Sequence, residues 1–215
     1  MNVRTRIKVC GMTNMTEAAG AVETGVDALG FIFVKKSPRN IEPDKARIIV
    51  RALPPFVDAV GVFMDEEAEV VDEIVQYCGL TMVQLHGSES PEYCKAISIR
   101  VVKAFRIKSG STESDLTPYK GKVAAFLLDT YSETAAGGTG KTFNWRMVES
   151  INPPGPVILA GGLTPDNVSE AIRQVRPLAV DVNSGVETMP GRKDITEIQR
   201  FVEEVKKADM SADVC

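Results

Sequence analysis

Eight short apolar runs, separated by segments with helical periodicity, constrain the fold of this chain more than any other feature. The runs are Arg6–Cys10, Ala28–Phe33, Ala59–Met64, Met82–His86, Arg100–Ile107, Ala124–Asp129, Pro156–Ala160 and Leu178–Asn183. Each has the length and the Val, Ile, Leu and Phe content of a buried strand. Strands that alternate with helices form a parallel sheet with right-handed crossovers, and eight such units are the number that closes a barrel. We therefore predict an α/β fold, a (β/α)8 TIM barrel, with an open doubly wound sheet as the competing architecture.

Three of the segments between the runs carry an apolar stripe at helical spacing. The stripes are Val71, Ile74, Val75 and Cys78 after the third run, Val168, Ala171, Ile172 and Val175 after the seventh, and Ile195, Ile198, Phe201, Val202 and Val205 after the eighth. Thr164 is predicted to cap the second of these helices, with Pro165 at its first position. No linker interrupts the pattern, so residues 1–215 are interpreted as one domain, in which residues 209–215 are expected to fray.

Composition narrows the classes of partner. The 215 residues are 44% hydrophobic, enough for a large core, and the net charge is −4 with no basic stripe, so we expect no nucleic-acid partner. The start MNVRTRIKV has no apolar signal core, and no apolar run approaches the ~20 residues that cross a bilayer. We therefore expect a cytoplasmic protein without a membrane partner.

Cysteine and histidine usage argues against a metal site. The four cysteines contain no CxxC pair, and the chain has a single histidine, His86. A barrel that depends on several histidine ligands for zinc or iron is thereby excluded. Cys78 and Cys94 fall in helical segments and are expected to be reduced thiols packed as small hydrophobic groups.

Side-chain parity predicts a polar barrel interior. Neighbouring side chains of a strand point to opposite faces. The first, fourth and eighth runs place Ile7, Val9, Val83, Leu85, Val180 and Val182 on one face and Lys8, Cys10, Gln84, His86, Asp181 and Asn183 on the other, and Asp129 ends the sixth run. Because helices cover the outside of a barrel, the polar set should face the lumen, near the carboxyl ends of the strands where barrel active sites lie. The alternative for Lys8 and Asp181 is a buried ion-pair layer.

Three glycine turns follow late strands and predict a phosphate site. They are Gly137–Lys141, Ala160–Leu163 and Asn183–Val186. Glycine lets backbone N–H groups approach an anion, and the loops after strands seven and eight form the usual phosphate site of a barrel. Gly140-Lys141-Thr142 looks like the end of a nucleotide-binding P-loop, but that motif needs a glycine where this chain has Ala135.

An ordered set of motifs resembles the phosphoribosylanthranilate isomerase family of tryptophan biosynthesis. The motifs are KVCGMT (8–13), GFIF (30–33), SPR (37–39), VQLHG (83–87), LDT (128–130), GGTGKTF (137–143), LAGGL (159–163), DVNSGVE (181–187) and PGRKD (190–194). The likeness runs from about residue 6 to residue 205. Asn144 and Asn183 depart from the family pattern, in which Asp and Ser are common at these positions.

The resemblance implies an enzyme of defined chemistry. The substrate would be N-(5-phosphoribosyl)anthranilate, converted by an Amadori rearrangement into 1-(2-carboxyphenylamino)-1-deoxyribulose 5-phosphate without metal or organic cofactor. Asp129 would be the general acid that opens the sugar ring, its pKa raised by a water-poor barrel mouth. Cys10 would be the general base, activated as a thiolate by Lys8 and by the N-terminus of a helix that begins near Thr13 or Asn14.

The same resemblance assigns the binding residues. Arg39 would pair with the anthranilate carboxylate. Gln84, His86 and Asp181 would contact the sugar hydroxyls. Backbone amides around Gly140, Gly162 and Gly185, with the Ser184 hydroxyl, would hold the phosphate. The family includes monomers and homodimers, so either state is open.

Other barrel functions remain as alternatives. The aminoaldose isomerase of histidine biosynthesis performs the same rearrangement but uses two aspartates and a substrate with two phosphates. A Schiff-base aldolase needs a lysine in strand six, which has none, and indoleglycerol phosphate synthase needs a different lysine and glutamate set. A catalytically silent phosphosugar-binding barrel is disfavoured because both Cys10 and Asp129 are retained.

Overall fold

The computed structural model describes residues 4–108, 110–129 and 145–211, and in this part of the chain eight parallel strands close into a barrel. The strands are β1 (Arg6–Val9), β2 (Ala28–Ile32), β3 (Asp58–Phe63), β4 (Met82–Leu85), β5 (Arg100–Arg106), β6 (Ala125–Asp129), β7 (Val157–Ala160) and β8 (Ala179–Val182). Their order around the barrel follows the chain, and β1 pairs with both β2 and β8. The predicted (β/α)8 barrel is confirmed, and each strand end lies within one residue of its predicted position.

Helices follow the strands and cover the outside of the barrel. They are α1 (Met15–Glu23), α2 (Pro43–Arg51), α3 (Ala68–Cys78), α4 (Pro91–Ala96), α5 (Glu113–Leu116), α6 (Arg146–Ile151), α7 (Val168–Val175) and α8 (Ile195–Ser211). Between β8 and α8 the chain forms a short hairpin of β9 (Glu187–Met189) and β10 (Arg192–Lys193). No described helix has both the length and the apolar character needed to span a membrane.

The start of α7 differs from the prediction. The helix begins at Val168 after Asn167, whereas the sequence suggested Thr164 as its cap and Pro165 as its first residue. The Asn167 side chain binds the preceding loop instead: its Oδ1 accepts from the Thr164 N–H at 2.8 Å, and its Nδ2 donates to the Gly162 carbonyl at 2.9 Å. The extra turn therefore secures the loop that follows β7.

Two apolar layers fill the two faces of the sheet. The strand side chains predicted to face the helices, among them Val9, Leu85 and Val180, are buried in the outer core. A separate inner layer of mostly small residues lines the lumen: Val102, Ala104, Ala125, Leu127, Ile158, Ala160 and Ala179. Lys8, Gln84 and Asp181 share the parity of this inner layer and are buried, as predicted.

The carboxyl end of α8 is held against the first strand. The helix continues to Ser211, so the fraying expected from residue 209 onward does not occur at Asp209, Met210 or Ser211. The Asp209 carboxylate accepts hydrogen bonds from the Thr5 N–H at 2.9 Å and the Thr5 hydroxyl at 2.7 Å. The last described turn of the chain is thus tied to the residue that precedes β1.

A buried ion pair anchors the loop after β4. Lys103, on the helix-facing side of β5, lies 3.2 Å from Glu89, and their side chains are only 3% and 2% exposed. Lys103 also donates to the Gly87 and Ala104 carbonyls, while Glu89 accepts from the Gly87 and Asp65 N–H groups. The pair therefore fixes the backbone just beyond His86.

We predict that Lys103→Met lowers the free energy of unfolding by about 3–5 kcal/mol, because it leaves the Glu89 carboxylate buried without a counter-charge. Urea denaturation followed by circular dichroism measures the change. The matched control is Lys122→Met, which removes one partner of the exposed Lys122–Glu92 pair and should leave the free energy of unfolding nearly unchanged. Equal losses in the two variants would contradict this role of burial.

Candidate active site

A cavity of about 540 Å³ opens at the carboxyl ends of the barrel strands, where barrel active sites lie. Of the ten predicted site residues, eight line it: Cys10, Arg39, Gln84, His86, Asp129, Gly162, Asp181 and Ser184. Gly185 lies just behind the wall, and Gly140 falls outside the described residues, as does the whole Gly137–Lys141 turn. The cavity is also lined by Arg106, which the sequence analysis missed although it ends β5 with lumen parity.

Cys10 lies at the mouth, directly after β1. Its N–H donates to the Val182 carbonyl at 2.8 Å, which continues the barrel hydrogen bonding by one residue. The thiol packs beside Ile32 and Val62. On the neighbouring strand, a Cβ at Gly30 would lie 2.7 Å from the Cys10 Sγ, so only glycine leaves room for the thiol there. Residue Gly11 then turns the chain out of the strand with φ +80°.

The charges around Cys10 only partly support a thiolate. The side chains of Lys8 and Asp181 are direct register partners on β1 and β8, and Lys8 Nζ lies 2.7 Å from Asp181 Oδ2. Burial alone would lower the pKa of Lys8, and Asp181 together with Cys10 more than offsets this. Burial raises the pKa of Cys10; Lys8 opposes the rise, but Asp181 supports it. The activation of Cys10 by Lys8, which the sequence predicted together with that of the helix N-terminus, is therefore opposed by Asp181 and outweighed by burial.

The predicted start of the first helix is confirmed. Helix α1 begins at Met15, and the Asn14 side chain accepts from the Glu17 N–H at 2.9 Å as its cap. The loop of Gly11, Met12 and Thr13 separates this helix from Cys10.

Asp129 ends β6, which lies three strands from β1 in the ring, so Asp129 and Cys10 approach the mouth from opposite sides. The His86 Nε2 lies 3.4 Å from Asp129 Oδ2, and Gln84 Nε2 lies 3.2 Å from the other ring nitrogen of His86. The single histidine of the chain therefore neighbours the predicted general acid. Arg106 is the register partner of Asp129 on β5, which adds a cation on that side.

Two buried side-chain oxygens face this region without a partner. Among the described residues, Asp181 Oδ1 and Gln84 Oε1 receive no hydrogen bond, and both residues line the cavity. Buried polar atoms are nearly always paired in proteins, with water or a ligand if not with protein. Both oxygens can accept hydrogen bonds from hydroxyl groups.

The loops after β7 and β8 form one rim of the cavity. Gly161 and Gly162 have φ of +88° and +66°, the left-handed region that favours glycine. A Cβ on Gly185 would lie 1.9 Å from the Leu163 carbonyl oxygen, so the two loops touch through their backbones. A short 3₁₀ helix, Ser184–Val186, begins at this contact. The rim can therefore offer backbone N–H groups to an anion.

Arg39 lies in the loop between β2 and α2 and contacts the segment that follows β8. Its Nε donates to Glu187 Oε1 at 2.9 Å and its Nη2 donates to Glu187 Oε2 at 2.7 Å. Lys193, in β10, donates to Glu187 Oε1 at 2.9 Å. The sequence analysis quoted Glu187 and Lys193 only as parts of motifs, because their pairing depends on the β9–β10 hairpin.

Within the described part of the chain, no group of three or more His, Cys, Asp and Glu side chains is arranged to hold a metal ion. Around the cavity, the described residues include a thiol (Cys10), a carboxyl group that ends a strand (Asp129) and two guanidinium groups (Arg39 and Arg106).

The comparisons with known proteins agree with this geometry. A family profile described as N-(5'phosphoribosyl)anthranilate (PRA) isomerase matches residues 7–204. The N-(5'-phosphoribosyl)anthranilate isomerase of Trichlorobacter lovleyi is 50% identical over 204 residues, which cover 94% of this chain and 98% of that protein.

Solved structures give the same result. A phosphoribosylanthranilate isomerase from Thermotoga maritima superimposes with a TM-score of 0.85 at 44% identity, covering 94% of this chain and 99% of the other, and that enzyme is described as dimeric. A phosphoribosylanthranilate isomerase in complex with reduced 1-(o-carboxyphenylamino)-1-deoxyribulose 5-phosphate superimposes with a TM-score of 0.82 at 41% identity, with the same coverage. The barrel, the motifs at its mouth and these relatives agree, and the chain belongs to the N-(5'-phosphoribosyl)anthranilate isomerase family.

Proposed function

We propose that this chain converts N-(5'-phosphoribosyl)anthranilate into 1-(2-carboxyphenylamino)-1-deoxyribulose 5-phosphate, with Asp129 as general acid and Cys10 as general base. The observation that carries the proposal is the placement of these two groups on opposite sides of one cavity mouth, which Arg39 and an anion-binding rim also line. The reaction moves a proton from C2' of the sugar and opens its ring. It therefore needs an acid and a base that reach neighbouring atoms of one substrate.

In the first step, Asp129 donates its proton to the furanose ring oxygen. The bond between that oxygen and C1' breaks as the lone pair of the anilino nitrogen forms a C1'–N double bond, which gives a protonated Schiff base. In the second step, the Cys10 thiolate removes the C2' proton. The released electron pair forms a C1'–C2' double bond and neutralises the nitrogen, and the resulting enolamine tautomerises to the ketone.

The remaining cavity residues bind the ends and the hydroxyl groups of the substrate. The rim of Gly162 and Ser184 suits the phosphate, and the guanidinium of Arg39 suits the anthranilate carboxylate. The unpartnered oxygens of Gln84 and Asp181 can accept hydrogen bonds from sugar hydroxyls. His86 contacts Asp129 and so lies where it can also influence the proton on that carboxyl.

We predict that Cys10→Ser and Asp129→Asn each reduce kcat by ~10²-fold or more, since each removes one proton-transfer group. The substrate is generated in situ from anthranilate and phosphoribosyl pyrophosphate, and the loss of its fluorescence is followed. Cys78→Ser is the matched control, because this thiol lies in α3 outside the cavity and donates to the Pro43 carbonyl, which a hydroxyl can also do. If the wild-type chain does not exceed the spontaneous rate, the proposal is wrong and a silent phosphosugar-binding barrel takes its place.

The raised pKa of Cys10 predicts the pH dependence of the reaction. The productive form of the enzyme has a proton on Asp129 and none on Cys10. A carboxyl group ordinarily loses its proton at a lower pH than a buried thiol does, so this form is the less populated of the two singly protonated forms. Between the pKa of the carboxyl group and that of the thiol, the fraction of enzyme in this form does not change with pH. Above the pKa of the thiol the fraction falls, because both groups have lost their protons. We expect kcat/KM to be flat near neutral pH and to decline only above ~8.5, the ordinary range of a thiol.

The profile is measured from pH ~5 to ~10, with samples returned to neutral pH to detect irreversible inactivation. A reversible decline that begins well below pH ~8.5 would contradict a raised thiol pKa.

We also propose that the chain forms a homodimer through the amino-terminal face of the barrel. Phe56, in the loop between α2 and β3, is 100% exposed and has φ +72°. This loop lies at the end of the barrel opposite the active site, where a second cavity of about 490 Å³ opens. Apolar residues such as Val60, Met82 and Ile158 line it together with charged ones such as Arg6 and Arg100. A two-fold axis would let each Phe56 enter the cavity of the other subunit, which removes both apolar surfaces from water.

We predict that wild-type protein sediments with twice the 23.3 kDa chain mass and that Phe56→Glu sediments as a monomer, because a charge replaces the inserted ring. Analytical ultracentrifugation measures the mass. Ile48→Glu is the control, since Ile48 is 64% exposed on α2 and lies outside the proposed interface. A monomeric wild type, or a dimer unaffected by Phe56→Glu, would rule out this interface.

A further inference from the structure

We propose that Glu187 and Lys193 are positioning residues of the isomerase reaction: Glu187 orients Arg39 for the substrate carboxylate, and Lys193 leaves the cluster with a net positive charge beside Cys10. The proposal rests on the function proposed above. It concerns one buried cluster, Arg39, Glu187 and Lys193, which joins the loop after β2 to the hairpin after β8.

Glu187 holds one edge of the Arg39 guanidinium. Its two carboxylate oxygens accept three hydrogen bonds from Nε and Nη2 of Arg39, at 2.7–3.1 Å. The other terminal nitrogen, Nη1, makes no hydrogen bond to any residue that the structure describes, and Arg39 lines the cavity. The Glu187 side chain is 3% exposed and that of Arg39 is 19% exposed. A guanidinium held along one edge in this way keeps its remaining donors in a constant direction.

Lys193 completes the cluster from behind. Its side chain is 0% exposed, and Nζ donates to Glu187 Oε1, the Asn183 carbonyl and Asn183 Oδ1, at 2.9–3.0 Å. Three acceptors match the three N–H bonds of an ammonium group, so Lys193 is protonated here. Burial opposes this and lowers the pKa of Lys193, while Glu187 raises it. Burial would likewise raise the pKa of Glu187, but hydrogen bonds from Arg39 and Lys193 hold it below its usual value.

The cluster therefore contains two cations and one anion, and its net charge is +1. The other charged group near Cys10, the Lys8–Asp181 pair, is neutral as a whole. A buried net charge acts over a longer distance than a neutral pair. Of the two groups, only the cluster of Arg39, Glu187 and Lys193 carries a net positive charge. Such a charge stabilises a nearby thiolate or carboxylate.

Gly11 brings this cluster against Cys10. A Cβ on Gly11 would lie 2.9 Å from Arg39 Cδ and 2.9 Å from Asn183 Oδ1, the atom that Lys193 binds. Gly11 directly follows Cys10 in the chain, so the cluster packs on the backbone next to the thiol. Burial raises the pKa of Cys10, and the Lys193 charge lowers it, as that of Lys8 does to a greater extent.

The hairpin that carries the cluster is anchored to the loop after β1. The Thr13 hydroxyl donates to the Gly191 carbonyl at 2.7 Å, and the Lys193 N–H donates to the Glu17 carboxylate at 2.9 Å. Gly191 has φ +79°, and its N–H donates to Glu187 Oε1 at 3.2 Å. These contacts alone could give Glu187 and Lys193 a purely structural role. The test must therefore separate electrostatics from folding.

The two substitutions that separate them change the charge in opposite directions. Glu187→Gln raises the cluster charge to +2, and Lys193→Met lowers it to zero. Other charged groups around Cys10, namely Lys8 on β1 and Asp181 on β8, stay in place. If the role is purely structural, both variants should shift the pKa of Cys10 in the same direction or leave it unchanged. If the role is electrostatic, the two variants should shift this pKa in opposite directions.

The thiol of Cys10 is titrated through the ultraviolet absorbance of its thiolate, as the difference between each variant and the same variant carrying Cys10→Ser. We expect Lys193→Met to raise the pKa of Cys10 by about half a pH unit or more, and Glu187→Gln to lower it. Lys193→Arg, which keeps the charge, should restore the wild-type pKa. Lys207→Met, which removes an exposed lysine from α8, is the control and should not change it.

Kinetics test the orientation of Arg39. Glu187→Gln should raise KM by about 10-fold or more with a smaller effect on kcat, because the freed guanidinium loses its direction toward the carboxylate. Shifts of the thiol pKa in the same direction in both charge variants, or an unchanged KM in Glu187→Gln, would overturn the proposal. An inactive wild type would instead overturn the proposed function, because the thiol titration does not depend on turnover.

Discussion

The pairing of β1 with β8 closes the barrel, and the position of every functional group depends on the register of that pairing. Lys8 lies opposite Asp181, which lines the active-site cavity, and two residues beyond Lys8 the chain reaches Cys10 at the same cavity. A shift of one residue would turn Cys10 and Asp181 toward the helices. The ion pair of Lys8 and Asp181 is formed by register partners, so a wrong register would leave both charges buried and unpaired.

The closed barrel places the charged groups of its interior at different depths. The Lys8–Asp181 pair spans the lumen: Lys8 lines the second cavity, at the amino-terminal end, and Asp181 lines the active-site cavity. The pair adds no net charge to the lumen. The excess positive charge comes from the β9–β10 hairpin, outside the strands, through Lys193. The neutral ion pair therefore lies between barrel strands, whereas the excess positive charge lies on the hairpin that follows β8.

Much of this arrangement could be predicted from the sequence, and the exceptions have identifiable physical causes. Parity placed Lys8, Gln84 and Asp181 inside the barrel because adjacent strand residues must point to opposite faces. The start of α7 was predicted too early, because Asn167 binds the loop backbone at Gly162 and Thr164 instead of leaving Thr164 as the cap. Local signals identify groups that can cap a helix, but only the folded chain decides which of them binds elsewhere.

The sequence by itself determined the barrel, the strand limits to within one residue, and the residues that reach the mouth, because these follow from periodicities of two and 3.6 along a continuous chain. Only the tertiary structure decided which groups meet there. Two of these contacts join elements that are distant in the chain: His86 with Asp129, and Arg39 with Glu187. A third, Lys193 with Asn183, spans the turn after β8, whose geometry the sequence does not determine. Such pairings, and the burial that sets the pKa of Cys10, depend on three-dimensional distances that a linear pattern does not contain.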